Sequence, residues 1–249
     1  MNRTLRIATY NIHKGLSSFN ARLVLDEQRE LIRYLHADIV FLQEVRGAHS
    51  RHSSLFTGGQ YEFLADSIWS DFAYGKNAVR ADGHHGNAIL SKYPIATWEN
   101  EDISAHATEQ RGLLHCEIAI PGWDQNLHCI CVHLGLFARW RHQQLASLRA
   151  RIHKMVPAHA PLIIAGDFND WRQKVGSTLA GELNLKEVFE HTHGKPARSF
   201  PSIMPLFRLD RIYTRGFHVQ HSQVHGGLRF GNASDHAALS AVMVRDMPA

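Results

Sequence analysis

The sequence predicts an α/β (α+β) protein built from two mixed β-sheets packed together, with helices outside. Three observations predict it. Apolar runs of strand length outnumber helical stripes. Many of these runs come in pairs around Pro/Gly turns, as hairpins do. The 249 residues, 44% apolar and 20% charged, can bury a real core and are not the composition of a disordered chain. No repeat, linker or low-complexity tract divides them, so residues 1–249 read as a single domain.

Residues 5–13 carry β-branched and aromatic side chains in rough alternation. They read as a strand ending at Lys14-Gly15, with Asn11 near its end. Residues 21–36 place Val24, Gln28, Leu31, Ile32 and Leu35 on one stripe, a helix that Asn20 could cap. Residues 38–45 form a second apolar strand with Glu44 near its end. If buried, Glu44 must be paired, protonated or metal-bound, because a lone buried carboxylate is costly. At an exposed strand end it needs no partner.

Residues 49–86 read as a long irregular loop, rich in Gly, His and Asp. Trp69, Phe72 and Tyr74 in it either stack on a ligand or pin the loop. Residues 87–91 and 95–98 read as strands around Lys92-Tyr93-Pro94. Residues 112–120 and 126–134 read as a hairpin around Pro121-Gly122-Trp123-Asp124. Arg111, where the first arm starts, faces an anion or a surface carboxylate. Cys129, Cys131 and His133 share a face of the second arm. A structural zinc site wants a fourth ligand that is not evident nearby, so the cysteines read as small buried hydrophobes.

Residues 139–156 are an amphipathic helix with Leu145, Leu148, Ile152, Met155 and Val156 on its apolar stripe. Its arginines suit a solvated helix over a sheet, with a membrane surface or nucleic-acid backbone as the alternative. Residues 162–165 then run apolar into Gly166, Asp167, Phe168, Asn169 and Asp170. Gly166 permits a sharp turn. Asp167 and Asn169, two apart, point the same way in extended backbone. A carboxylate beside an amide suits a hard cation or a positioned water, although an Asx turn also ends many strands. Residues 194–201 are a loop, residues 208–213 a strand containing Asp210, and residues 232–236 lead into a last strand, 238–244.

The net charge of +4 suits an anionic partner and also a plain enzyme. Three cysteines and no visible signal peptide point to a reducing, cytoplasmic setting. No apolar run approaches the roughly 18 residues of a spanning helix, which leaves peripheral membrane contact open.

Asn11, Glu44, His133, Asp167, Asn169, Asp210, Asp235 and His236 all lie in or beside strands, mostly at their ends. Four acids meeting on one rim would require a cation. Oxygen donors favour Mg²⁺, with Mn²⁺ as a substitute. Such a site suits phosphoryl chemistry, in which a His–Asp pair activates water.

Several stretches carry a family resemblance. They are Thr9-Tyr10-Asn11-Ile12, residues 38–44, Gly86-Asn87-Ala88-Ile89-Leu90-Ser91, Val132-His133-Leu134, Gly166-Asp167-Phe168-Asn169, residues 208–212 and Ser234-Asp235-His236. In this order, over nearly the whole chain, they resemble the endonuclease/exonuclease/phosphatase superfamily, with its DNase I-like fold. Residues 12–15, 69–75 and 166–174 are similar to its bacterial YbhP-like branch. The resemblance implies a four-layer α/β sandwich and a Mg²⁺-dependent phosphodiesterase. It implies Glu44 as the principal metal ligand, with Asn11 and Asp235 beside it. His236 is implied as base or phosphate contact, oriented by Asp210. Asp167 and Asn169 are implied to position the attacking water or a second metal. His133 is implied to contact the scissile phosphate or assist the leaving group.

Arg111, Asn87, Trp69 and Phe200 stand as substrate-side candidates. The basic balance and the 139–156 helix favour nucleic acid as substrate. The aromatic loop and Phe200, Met204, Leu206 and Phe207 favour a phospholipid head group or other small ester. A non-catalytic binding protein on the same fold would lack some of the acids or histidines, and none is missing.

Overall fold

The computed structural model describes residues 3–18, 22–49, 59–65, 68–80, 83–171, 179, 181–227 and 230–246. Twelve strands are described: β1 (Thr4–Asn11), β2 (Ile39–His49), β3 (Asp71–Arg80), β4 (Gly83–Ser91), β5 (Ile95–Asp102), β6 (Gly112–Ile118), β7 (Leu127–His133), β8 (Leu162–Asp167), β9 (Lys186–Glu187), β10 (Asp210–Arg215), β11 (Phe217–His225) and β12 (Ala238–Arg245). One sheet has the order β11-β12-β1-β2-β4-β3, and the other β5-β6-β7-β8-β10-β9. In each, one central pair is parallel, β1–β2 and β7–β8 respectively, and the other pairs are antiparallel.

Three apolar clusters account for the layering. The largest lies between the sheets and joins Ile7, Phe41 and Ile89 of one to Leu114, Cys129 and Ile212 of the other. The second packs α3 (Ala138–Met155) on the outer face of one sheet through Leu145, Leu148 and Ile152. The third packs α1 (Leu25–Tyr34) and α2 (Gln60–Ala65) on the other sheet through Leu31, Ile32 and Leu64. Sheets buried on both faces read as near-continuous apolar runs, which is why β7 and β8 are buried along their whole length. The result is the four-layer sandwich.

Several boundaries move. The first helix starts at Leu25, and the expected cap Asn20 lies outside the described residues, as do residues 172–174. The expected loop over 49–86 is corrected. β2 reaches His49, α2 follows, and β3 and β4 form a hairpin, with residues 50–58, 66–67 and 81–82 outside the description. Its Gly and His residues hid a strand pattern because the sheet pairing, not local propensity, holds it. The strand β11 and the helix α4 (Val188–His193) carried no clear periodic signal.

The three thiols, Cys116, Cys129 and Cys131, are free and buried. They pack between the sheets as apolar groups.

A buried polar chain runs across the outside of one sheet. Arg151 Nε donates to His115 Nδ1 at 3.2 Å, and His115 Nε2 lies 3.0 Å from His128 Nδ1. That pattern needs a neutral His115. Burial, and then the neighbouring His128 and Arg151, push the His115 pKa down to about 3. Burial likewise lowers His128, and it lowers His225 to about 4. The unfolded chain therefore binds more protons than the folded one below the ordinary histidine value. Stability should fall as pH drops from 6.5 toward 4, by on the order of 2 kcal/mol at pH 5 for His115. Urea midpoints at pH 7 and pH 5 measure this, and His115→Gln should flatten the difference.

Candidate active site

Strand register assembles the site. His133 pairs with Asp167 across the parallel β7–β8 ladder, and Asp167 pairs with Asp210 across β8–β10. Three neighbouring strands thus present an imidazole and two carboxylates in one row. In the facing sheet β1 ends at Asn11. Thr9 there pairs with Leu239 of β12, so the turn before β12 brings Asp235 and His236 over the same rim. Glu44 sits where the β2–β4 pairing shifts between Leu42 and Val45, with φ 56°. A bulge re-aims the side chain it carries, and that is its effect here.

The inner group centres on Asp167. The ligating atoms of Asp167, Asp210 and His236 all lie within 4.8 Å of one another, and all three residues are buried. His236 Nδ1–H donates to Asp210 Oδ2 at 2.8 Å. Its Nε2 lies 3.7 Å from Asp167 Oδ2. His133 Nε2 is 3.6 Å from the same oxygen, and Asn11 Nδ2 donates to it at 3.2 Å. The other Asp167 oxygen accepts the Asn169 backbone N–H at 2.9 Å. Asn169, at φ 48°, donates its side-chain amide to the Leu134 carbonyl.

These contacts set the protons. Burial alone would lower the His236 pKa, but the charges of Asp210 and Asp167 and the Asp210 hydrogen bond outweigh it and raise it. Burial raises Asp167, and Asp210 adds to it against the opposing charge of His236. The set titrates together, with an imidazolium held between two acids. His133 goes the other way. Burial and then the Arg111 charge hold it well below its ordinary value, so it is neutral.

An outer group lies beside it. Lys14 Nζ is 3.1 Å from Glu44 Oε2, and His13 Nδ1 is 3.7 Å from Asp235 Oδ1. Burial would raise Glu44, but the Lys14 ammonium beside it, by its charge and its hydrogen bond, works against that, and the pKa is held low. Asn11 spends its amide nitrogen on Asp167, and its oxygen accepts the His13 N–H at 3.1 Å.

The donors fit a hard divalent cation. They are carboxylates, an amide and imidazoles, while the thiols lie between the sheets. Among the described residues, Asp210 Oδ1 is buried without a hydrogen bond, and Glu44 Oε2 is ion-paired with Lys14. Asp167, Asp210 and, on losing its Nε2 proton, His236 could hold an ion, and Glu44, Asn11 and Asp235 are placed around the adjoining space.

Substrate-side expectations fare unevenly. Trp69 is corrected. It is 2% exposed and donates its ring N–H to the Ala37 carbonyl, so it pins the sheet and cannot stack on a ligand. Asn87 is fully buried, and its amide nitrogen donates to the Gly112 and Cys131 carbonyls, tying the sheets together, while its amide oxygen has no hydrogen-bond partner among the described residues. Arg111 sits near His133 and is paired at 3.2 Å with Glu109, a carboxylate whose side chain is only 10% exposed. Phe200 is beside the centre, with its ring 5.0 Å from that of His236.

Sequence reasoning did not single out Lys14, His13 or Trp171 as site residues. Lys14 and His13 enter through a turn at His13–Gly15 whose first two residues have positive φ. Trp171 joins Phe207 at 4.9 Å between ring centres. All three lay within the branch-like motifs, which was the available signal.

Comparison with known proteins agrees with this geometry. Residues 8–236 match the profile described as Endonuclease/Exonuclease/phosphatase family. The chain is 47% identical over 242 residues to the YbhP protein of Escherichia coli, covering 96% of this chain and 95% of that one. The Shigella flexneri YbhP matches to the same extent. Among solved structures, an endonuclease/exonuclease/phosphatase from Bacteroides vulgatus superposes with a TM-score of 0.77 at 17% identity, over 98% of this chain and 100% of that chain. A humanized D. rerio TDP2 superposes with a TM-score of 0.71 at 22% identity, over 97% of this chain and 99% of that chain. With the profile spanning most of its length and its rim residues gathered on the strand ends, the chain belongs to the endonuclease/exonuclease/phosphatase family.

Proposed function

We propose that the protein is a divalent-metal-dependent phosphodiesterase that cleaves a P–O bond by in-line attack of water. The observation that carries this reading is Asp167 Oδ2, a buried carboxylate oxygen faced by His236, His133 and Asn11 at 3.2–3.7 Å. Asp167 takes the proton of the attacking water, and Asn169 holds the backbone that aims it. His236, kept in orientation and charged by Asp210, presents Nε2–H to a phosphate oxygen. Neutral His133 contacts the phosphate or the leaving oxygen. Glu44, Asn11 and Asp235 would hold Mg²⁺, or Mn²⁺ in its place, which when bound supplies polarisation of the phosphate.

A phospholipid head group or other small ester is the better-supported substrate class, because Phe200 stands beside His236 with Trp171 and Phe207 next to it. Nucleic acid is the second reading, supported by the net charge of +4. The free, buried thiols favour work in the cytoplasm, by one domain comprising the whole chain.

The test is a hydrolysis panel with Mg²⁺ or Mn²⁺ on duplex and single-stranded nucleic acid, phospholipid head groups, a generic diester and phosphate monoesters. Turnover that EDTA abolishes is expected. Glu44→Gln should lower it at least about 100-fold, because it removes a charge from a buried cation site. Metal binding without turnover of any substrate would instead identify a binding protein.

A further inference from the structure

The rim of this site is apolar where most enzyme surfaces are not. Among the described residues, seven of the eleven large apolar side chains that stand exposed lie on the loops that border it. On one side are Ile203, Met204, Leu206 and Phe207, with Met204 65% exposed. Trp171 adjoins them. On the opposite side are Leu136 and Phe137, which follow β7 and its terminal His133.

Both rims are fastened, so the exposure is not that of stray loops. Phe200 and Phe207 bridge across the first loop, Ser202 N donates to the Asp235 carbonyl, and its hydroxyl donates to the Gly231 carbonyl at 2.7 Å. On the second loop the buried Arg141 donates to the carbonyls of Gly135 and Leu136. Gly135 N donates to Gln144 at 2.7 Å. The fold therefore holds apolar groups outward on both sides of a polar cleft.

Cations flank both rims. A hollow of about 600 Å3 beside the first loop is lined by Lys195, Arg198 and Arg208 and contains no carboxylate. Burial, and then the charges of Arg198 and Arg211, lower the Arg208 pKa. On the second rim Arg139 lies over the Trp140 ring at 5.3 Å.

We propose that this mouth seats on an anionic phospholipid bilayer, so that the cleft opens into the head-group layer. Apolar tips ringed by cations match the two parts of such a surface, its acyl boundary and its negative charge. Stacked nucleobases need flat aromatic faces, and four of the seven rim side chains, Ile203, Met204, Leu206 and Leu136, have none. The proposal rests on the phosphodiesterase reading only for what is cut, and docking is read without turnover.

The experiment is sedimentation of the full chain with vesicles of phosphatidylcholine alone or with phosphatidylglycerol. Binding to the anionic vesicles, weakened by salt, is expected. Met204→Asp with Leu206→Asp should lower partitioning at least about tenfold, as should Leu136→Asp with Phe137→Asp on the independent rim. Arg198→Ala with Arg208→Ala should lower it several-fold and flatten its salt dependence. Trp98→Asp, at an exposed position on the distant edge strand β5, is the control and should change nothing. His236→Ala should bind vesicles like the parent while losing hydrolysis, which separates failure of docking from failure of the chemistry. The proposal is overturned by no sedimentation, or by rim variants that bind unchanged. It is equally overturned by a dimer in sizing that Met204→Asp splits, or by an oligonucleotide that binds this rim where vesicles do not.

Discussion

Replacing His236 with alanine is expected to lower turnover of a generic phosphodiester by about 10²–10³-fold, the usual cost of removing one preorganised donor to the reacting group. The imidazole touches both acids of the inner group, Asp210 at 2.8 Å and Asp167 at 3.7 Å. Its removal takes a positive charge out from between two buried carboxylates. Like charges so close cannot both stay ionised without a cation, so one acid takes up a proton. The variant should therefore lose the base together with the phosphate contact, and its residual rate should need higher pH. Asp210→Asn separates the two effects, because it keeps the shape and removes the orienting charge. Steady-state kinetics with Mg²⁺ across pH, with near-ultraviolet circular dichroism as the check on packing, measures both. Hydrolysis unchanged in His236→Ala would remove the mechanism.

Gly166→Ala should be among the most damaging single substitutions to the fold itself. Gly166 has φ +147°, a conformation that side chains other than glycine's rarely adopt. A Cβ there would lie 1.9 Å from the Val132 carbonyl oxygen, which is backbone and cannot swing aside. Val132 is its partner in the parallel β7–β8 ladder. Either the strands separate or the peptide rotates, and both move Asp167, the next residue. A loss of about 3 kcal/mol or more is expected from strain and the broken ladder together. Urea unfolding measures it. A midpoint within error of the parent would show that the ladder is softer than drawn. Because His133 and Asp210 flank Asp167 in the same row, the folded fraction should also show weakened catalysis.

Legibility in the sequence followed the kind of interaction. Strands such as 38–45 and 162–167 were readable because both faces are buried and the apolar run is local. The helix over 139–156 was readable because its stripe repeats at helical spacing. β3 and the first half of β4 were not, since the glycines and histidines there lack apolar alternation and are held by pairing with each other and with β2. The acids and histidines at strand ends were legible as types, and their order along the chain carried the family resemblance. Their division into an inner group around Asp167 and an outer group around Glu44 was not, because it depends on register and on a bulge. Trp69 shows the opposite failure. It sits within a recognisable motif, yet it is buried and spends its ring N–H on the scaffold.

By itself the sequence determined most of the strands and the long helices, that their acid-bearing ends resemble those of the endonuclease/exonuclease/phosphatase family, and which oxygen donors are available. Only the tertiary structure decided which donors touch, which imidazole is charged, and that apolar loops stand out on either side of the cleft. The physical reason is distance. Periodicity and turn chemistry act over a few residues, whereas a proton's position and a side chain's exposure are set by groups up to two hundred residues away, through burial and the charges that burial brings together.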